Sequence, residues 1–395
     1  MSEHTSVAAS GRATSLAELM GLFSKLGLIA FGGPAAHIAM LEEEVVVRRK
    51  WLTHQHFLDL VGATNLIPGP NSTEMMMHIG YERAGWRGLV AAGGAFILPA
   101  AACTGLTAWF YVRYGDLPAV EPYLAGIRPA VLIIILSALW RLGRKAISGW
   151  ALGLLAILVA TAVLSGLGEI LCLLGGGVVG MVWLRSRGHS SGSAERWLPL
   201  LFLGSPAAAS ASTVGMSGAA SVSLWKLGWF FFKVGGTLYG SGYVLIAFLE
   251  GGLVQDLGWI SREQLLDAIA VGQFTPGPVL STATFVGYLV DGLPGALAAT
   301  AGIFLPAFLL VGFVNPYIAR LRSSTWLASF LDAVNASAVA LMAAVTLDLG
   351  SQVLVSMDAI LIALLASLAV LRFKVGPVWV VLGGALIGAL LAWLL

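Results

Sequence analysis

The sequence predicts an all-α polytopic membrane protein: two homologous halves in inverted-topology repeat, with helices broken at Pro-Gly-Pro. Three observations predict it. The 395 residues are 58% hydrophobic and only 11% charged, far from the roughly quarter-charged make-up of soluble domains. Sliding the chain along itself by 208 positions sets "LVGATNLIPGP" beside "AIAVGQFTPGP". Lys and Arg collect at opposite ends of corresponding segments in the two halves.

A polar tail, 1–14, opens the chain; it lacks a basic stretch followed by an apolar core, so no cleavable signal peptide is expected. Membrane repeat 1 covers 15–187. Its apolar stretches at 89–112, 130–140 with its flanks, 150–164 and 170–184 are continuous and not alternating, which selects helices over barrel strands. The segment 188–223 reads as a linker of small and polar residues with room for an extra crossing at 198–218. Membrane repeat 2 covers 224–395, with apolar stretches at 296–314, 353–371 and 376–395. The register of the repeat sets Lys25 on Lys233, Glu42 on Glu250, Trp51 on Trp259 and Asp59 on Asp267. After one deletion Gly80-Tyr81 meets Gly287-Tyr288 and Leu98-Pro99 meets Leu305-Pro306. A period of half the chain marks a duplicated membrane half, not a solenoid.

In the first half the cations lie at Arg83/Arg87, Arg141/Arg144/Lys145 and Arg185/Arg187, whereas the partner loops around 290–294 and 348–352 have none. The second half has Arg320/Arg322 and Arg372/Lys374, facing first-half loops poor in cations. Positive charge favours the inside, so loops 141–149, 185–196, 320–325 and 372–375 are expected inside and the C-terminus outside. Arg48-Arg49-Lys50 leaves the first segments open: the cluster is inside if 57–80 is re-entrant and outside if 57–80 spans. A net charge of +2 gives no reason to expect nucleic acid. Cys103 and Cys172 lie in apolar runs and read as packing residues, and no residue spacing suggests a metal site or cofactor.

"FSKLGLIAFGGPAAHIAMLEEEVV", "LVGATNLIPGPNST" and "GYERAGWRGLVAAGGAFILPA", with their weaker second copies, resemble the chromate ion transporter family in its long form with two fused domains. The resemblance covers nearly the whole chain. It implies a secondary transporter, not an enzyme, that exports chromate across a bacterial inner membrane and confers chromate resistance. Some family members are linked to sulfate, which has the same charge and tetrahedral shape. Partners are then a chromate- or sulfate-like oxyanion and the lipid bilayer, with room for a homodimer. Two departures mark the second half: FGGP becomes "YGSG" (Tyr239–Gly242), and "PGPNSTE" becomes "PGPVLST". The two halves are therefore not expected to do identical work.

A dianion within a bilayer needs charges or aligned backbone donors, and broken helices supply such donors. The triplets Pro68-Gly69-Pro70 and Pro276-Gly277-Pro278 break two apolar segments, and a helix restarting at Pro70 or Pro278 turns free N–H groups to the break. Asn71, Ser72 and Thr73 add side-chain donors in the first half, Ser281 and Thr282 in the second. Gly32 and Gly33, with Gly240 in the second copy, make a similar break. The same prolines and glycines would also serve as packing kinks. Lys25 and Lys233 share one repeat position and could attract the anion or snorkel to headgroups. Arg128 could grip two oxygens of an oxyanion or act as an interfacial anchor. Glu74 and His78, spaced i,i+4, are the proton-coupling candidates, with helix capping and packing as the competing roles. Asp59, Asp267, Glu42 and Glu250 fall near expected helix ends, where capping or gating outranks substrate contact. An anion channel and a membrane-embedded reductase are the rival classes, and the latter lacks any ligand set for haem or an iron–sulfur cluster.

Overall fold

The computed structural model describes residues 14–31, 33–188, 223–240, 242–317 and 324–394, which are helical with no strand among them. Gly32, the loop at Arg320/Arg322 and nearly all of the expected linker, including 198–218, lie outside the described residues. In the first repeat the helices are α1 Leu16–Ile29, α2 Pro34–Glu42 with a π-helical extension Glu43–Arg48, α3 His54–Thr64, α4 Asn71–Tyr114, α5 Glu121–Ala146, α6 Trp150–Leu164 and α7 Glu169–Gly188. The second repeats the plan. It comprises α8 Leu224–Thr237, α9 Leu245–Leu249 with a π-helical extension Glu250–Asp256, α10 Arg262–Phe274, α11 Thr282–Val314, α12 Thr325–Val353, α13 Met357–Phe373 and α14 Pro377–Leu394. Short 3₁₀ turns, Gly242–Val244 and Val279–Ser281, precede α9 and α11. Among the described residues six helices are long and apolar enough to cross a membrane.

The first two segments of each half do not span. His56, near the start of α3, bonds Glu82 at 2.8 Å, so the chain that enters along α3 returns along the first arm of α4 to the face it left. Arg83 donates to Thr14 at 2.7 Å and lies over the Trp51 ring at 5.4 Å. The start of α1, the end of α2 and the end of that arm therefore meet on one face. Segment 57–80 is thus re-entrant, its Pro-Gly-Pro at the tip. Arg48-Arg49-Lys50 shares the face of Arg83. The turn that follows is hidden inside α4: Ala84 and Gly85 leave the helical region, with Gly85 at φ +60, and Gly80 and Gly88 touch backbone to backbone across it. Asp291-Gly292 repeats this turn, with Gly292 at φ +55, and Gly287 and Gly295 repeat the contact. A side chain at any of these four packing glycines would meet a carbonyl, which is why the repeat keeps them.

The second arms of α4 and α11 pack antiparallel, with Trp86 on Phe313 at 5.4 Å and, further along α4, Gly93 against the Phe308 ring. Residues 86 and 93 thus meet 313 and 308 in reverse order, so the two repeats enter from opposite faces, the inverted arrangement expected. The long helix α5 then crosses from the second repeat's face, where Arg128 meets Asp267 at 3.2 Å, to the first repeat's face. Gly126 on α5 packs against Gly384 and Gly388 on α14. In lipid such close backbone approach supplies the association that the hydrophobic effect does not. The outer surface is apolar, for example Leu98, Leu171 and Leu368, as a lipid-facing surface requires.

Candidate functional site

Four backbone breaks meet at the centre. The Gly69 N–H donates to the Leu238 carbonyl at 2.8 Å, and its repeat partner Gly277 donates to the Ala30 carbonyl at 2.9 Å. Each Pro-Gly-Pro thus docks on the broken end of the other half's first helix. Gly33, Gly69, Gly240 and Gly277 all have positive φ, at +80, +143, +90 and +90, a conformation available chiefly to glycine. The helix starts that follow are bare: Gly33, Pro70, Val244 and Pro278 make no side-chain cap. By contrast, Ser15, Thr53 and Ser261 cap α1, α3 and α10 at the faces. Uncapped N–H groups and helix dipoles at the centre form a site suited to an anion.

A cavity of about 450 Å³ joins these breaks; Gly33, Gly69, Pro70, Asn71, Ser72, Gly240 and Pro278 line it, with Arg141 and Lys145 of α5. It adjoins a space of about 350 Å³ that shares Asn65, Asn71 and Lys145 and reaches Ser148, just past the C-terminal end of α5. The cavity therefore opens towards the face of the first repeat's entrance. Asp332 and Asn335 line this outer part. Asn71 donates to Asn65 at 2.7 Å. His37, buried beside Phe96, contacts Ser72 Oγ through Nδ1 at 3.2 Å and the Ala30 carbonyl through Nε2 at 3.1 Å.

The remaining expected residues lie elsewhere. Lys25 and Lys233 do not line the cavity; Lys25 pairs with Glu44 at 3.1 Å at the mouth of the first hairpin, and Lys233 is exposed. Burial pushes the Glu44 carboxyl up, but hydrogen bonds from Arg49 and Lys25 more than offset this and hold it below the usual carboxylate range. Arg128 is tied to Asp267, Glu121 and Glu263, and Tyr111 also donates to Asp267 at 2.8 Å. This cluster lies at the second repeat's face, where Arg128 and Glu263 also line a separate cavity of about 890 Å³. The helix after the first break starts at Asn71, with Pro70 as its cap; after the second break a 3₁₀ turn comes first and the α-helix starts at Thr282. Ser281 accepts from Thr104 at 3.2 Å and Thr282 donates to the Val279 carbonyl at 2.8 Å, so the second break's hydroxyls are engaged within the fold. Thr73 and Glu74 are fully buried behind the first break, and neither side chain makes a hydrogen bond. His78 bonds Asn315 at 3.0 Å, away from the cavity. Asp267 and Glu250 are buried ion-pair members, Glu250 with Arg262 at 2.6 Å. His54 and Glu42 form the equivalent pair at 2.7 Å.

Arg141, Lys145 and His37 are the residues that sequence reasoning missed. The two cations stand i,i+4 at the end of a span, where they read as orientation signals, and His37 follows Pro34 by three positions inside the quoted FGGPAAH. Among the described residues no group of three His, Cys, Asp or Glu side chains is placed to hold a metal.

Fold and site together define a polytopic membrane protein of inverted repeats that encloses an anion-suited cavity between broken helices. The family model described as "Chromate transporter" matches it twice, over residues 17–181 and 225–389, and the chain belongs to the chromate transporter family. A chromate transport protein of Cupriavidus metallidurans is 31% identical over 383 residues, covering 95% of this chain and 92% of the relative. One from Pseudomonas aeruginosa is 31% identical over 343 residues, covering 85% of this chain and 81% of the relative. A "Probable chromate transport protein" of Synechococcus elongatus is 30% identical over 363 residues, covering 90% and 89%. No solved structure matches the chain.

Proposed function

We propose that this protein exports chromate, or the similarly shaped sulfate dianion, across the bacterial inner membrane and so confers chromate resistance. The observation that carries the reading is the convergence of four uncapped or glycine-broken backbone segments with Arg141 and Lys145 on one central cavity. Two cations balance a dianion, and the helix-start N–H groups complete its solvation. The cavity reaches the face rich in Arg and Lys, which the charge rule makes cytoplasmic, while the Arg128–Asp267–Tyr111 cluster closes the other face. That asymmetry favours a carrier with alternating access over a continuous channel. Glu74, enclosed behind Gly69, serves coupling and not first contact with the anion, since gaining or losing a proton there alters the first break; His78, one turn further along α4, bonds Asn315.

The test is uptake of radiolabelled chromate into inverted membrane vesicles, competed with sulfate under different imposed pH gradients. Saturable, gradient-dependent accumulation is expected. Flux that rises linearly with chromate concentration, or none above empty vesicles, contradicts the reading.

A further inference from the structure

The hydrogen bonds of His37 define its protonation geometry. Nε2 faces the Ala30 carbonyl at 3.1 Å, and a carbonyl only accepts, so Nε2 carries a proton. In the neutral ring Nδ1 is then bare, and the Ser72 hydroxyl 3.2 Å away must donate to it. Ser72, which lines the cavity, then has no proton left for a ligand. A second proton on the ring reverses that bond: Nδ1–H donates to Ser72 Oγ, and the hydroxyl proton is free to turn into the cavity. One proton therefore adds a positive charge beside the breaks and converts one lining hydroxyl into a donor.

We infer that His37 is the positioning residue that links proton uptake to oxyanion binding, by deciding whether Ser72 can donate to the bound anion. The inference rests on reading the cavity as the oxyanion site. Histidine is the side chain whose ordinary titration falls within the physiological range, and the linkage is reciprocal: a bound dianion favours the charged ring as much as the charged ring favours the dianion. Arg141 and Lys145 on α5 share the cavity and oppose a third cation, so the ring gains its proton most readily when a dianion neutralises them. On α4 the nearby groups are Glu74 and His78, behind the first break. Tyr239 and Tyr243 flank the break after α8, Asp59 lies on α3, and α1 carries Glu18 and Lys25, the latter engaged by Glu44. The second repeat has Leu245 at the position of His37, so the device belongs to one half.

The experiment is titration calorimetry of sodium chromate into the purified full chain between about pH 5 and pH 8, with proton uptake corrected for the titration of free chromate in the same buffers. The wild type is expected to bind more weakly as pH rises, by up to about tenfold per pH unit, and to take up as much as about one proton per chromate. His37→Gln should give one Kd across the range, near the wild type's alkaline value, with no corrected uptake. Ser72→Ala should keep proton uptake while losing several-fold in affinity at low pH. A His37→Gln protein with the wild-type pH slope overturns the inference and leaves the oxyanion site standing, as does a wild type that binds with no corrected uptake. A wild type that binds no chromate overturns both.

Discussion

The amide of Gly69 donates to the carbonyl of Leu238 at 2.8 Å, joining the Pro-Gly-Pro of one half to the broken first helix of the other. Its repeat image, Gly277 on Ala30, completes a reciprocal pair. Neither half builds the central site alone, so a change at either triplet is felt by both.

Gly69→Ala and Gly277→Ala should abolish transport. Both glycines have a positive φ, and a Cβ on Gly69 would run into the Glu74 carboxyl while one on Gly277 would press on Ala100. The backbone strain alone is worth about 1–3 kcal/mol. The damage comes from a backbone that alanine cannot adopt, not from a helix made continuous. Vesicle uptake normalised to protein level checks this.

Arg141→Gln and Lys145→Gln should each weaken chromate binding by roughly tenfold or more, since each removes a charge-assisted contact of about 1.5–3 kcal/mol. Lys25→Gln should leave affinity unchanged, because that lysine is held by Glu44 away from the cavity. Calorimetric Kd values for the three variants separate these roles.

Arg128→Ala should lower stability and not affinity. Asp267 is 2% exposed, and a buried carboxylate stripped of its partner costs about 3–5 kcal/mol. The double variant Arg128→Ala/Asp267→Ala should recover part of the loss. Thermal unfolding in detergent measures the stability change, and chromate titration shows whether affinity holds.

Glu44→Gln should lower thermal stability near neutral pH, and the gap from wild type should close in acid. The sign follows from a carboxyl held below its usual range in the folded protein: its contribution is present above the unfolded pKa and is lost as pH falls through the folded one. Melting temperatures across the acid range test it; a gap that widens in acid would reverse the assignment.

Much of the fold was legible because its signals are backbone signals. Pro-Gly-Pro at one register in both halves, Gly80 on Gly287 and the swapped cation loops each state a geometric requirement that only a few residue types meet. The re-entrant path of α1 and α2 was not legible, since α1 has the apolar character of a short span and the turn at Ala84-Gly85 lies within a helical pattern. Of the residues that line the cavity, Asn71, Ser72 and Gly33 were singled out through the breaks. Arg128 was misplaced because its partner Asp267 lies 139 positions away. Arg141 and Lys145 were overlooked because a cation at a helix end orients a membrane protein and binds an anion with the same side chain.

Chromium anomalous scattering from crystals of the protein grown with chromate locates the bound anion. A chromium peak is expected in the central cavity, between the helix starts at Pro34 and Asn71 and facing Arg141 and Lys145. A peak beside Arg128 and Arg262 on the opposite face, with no chromium in the central cavity, would contradict it.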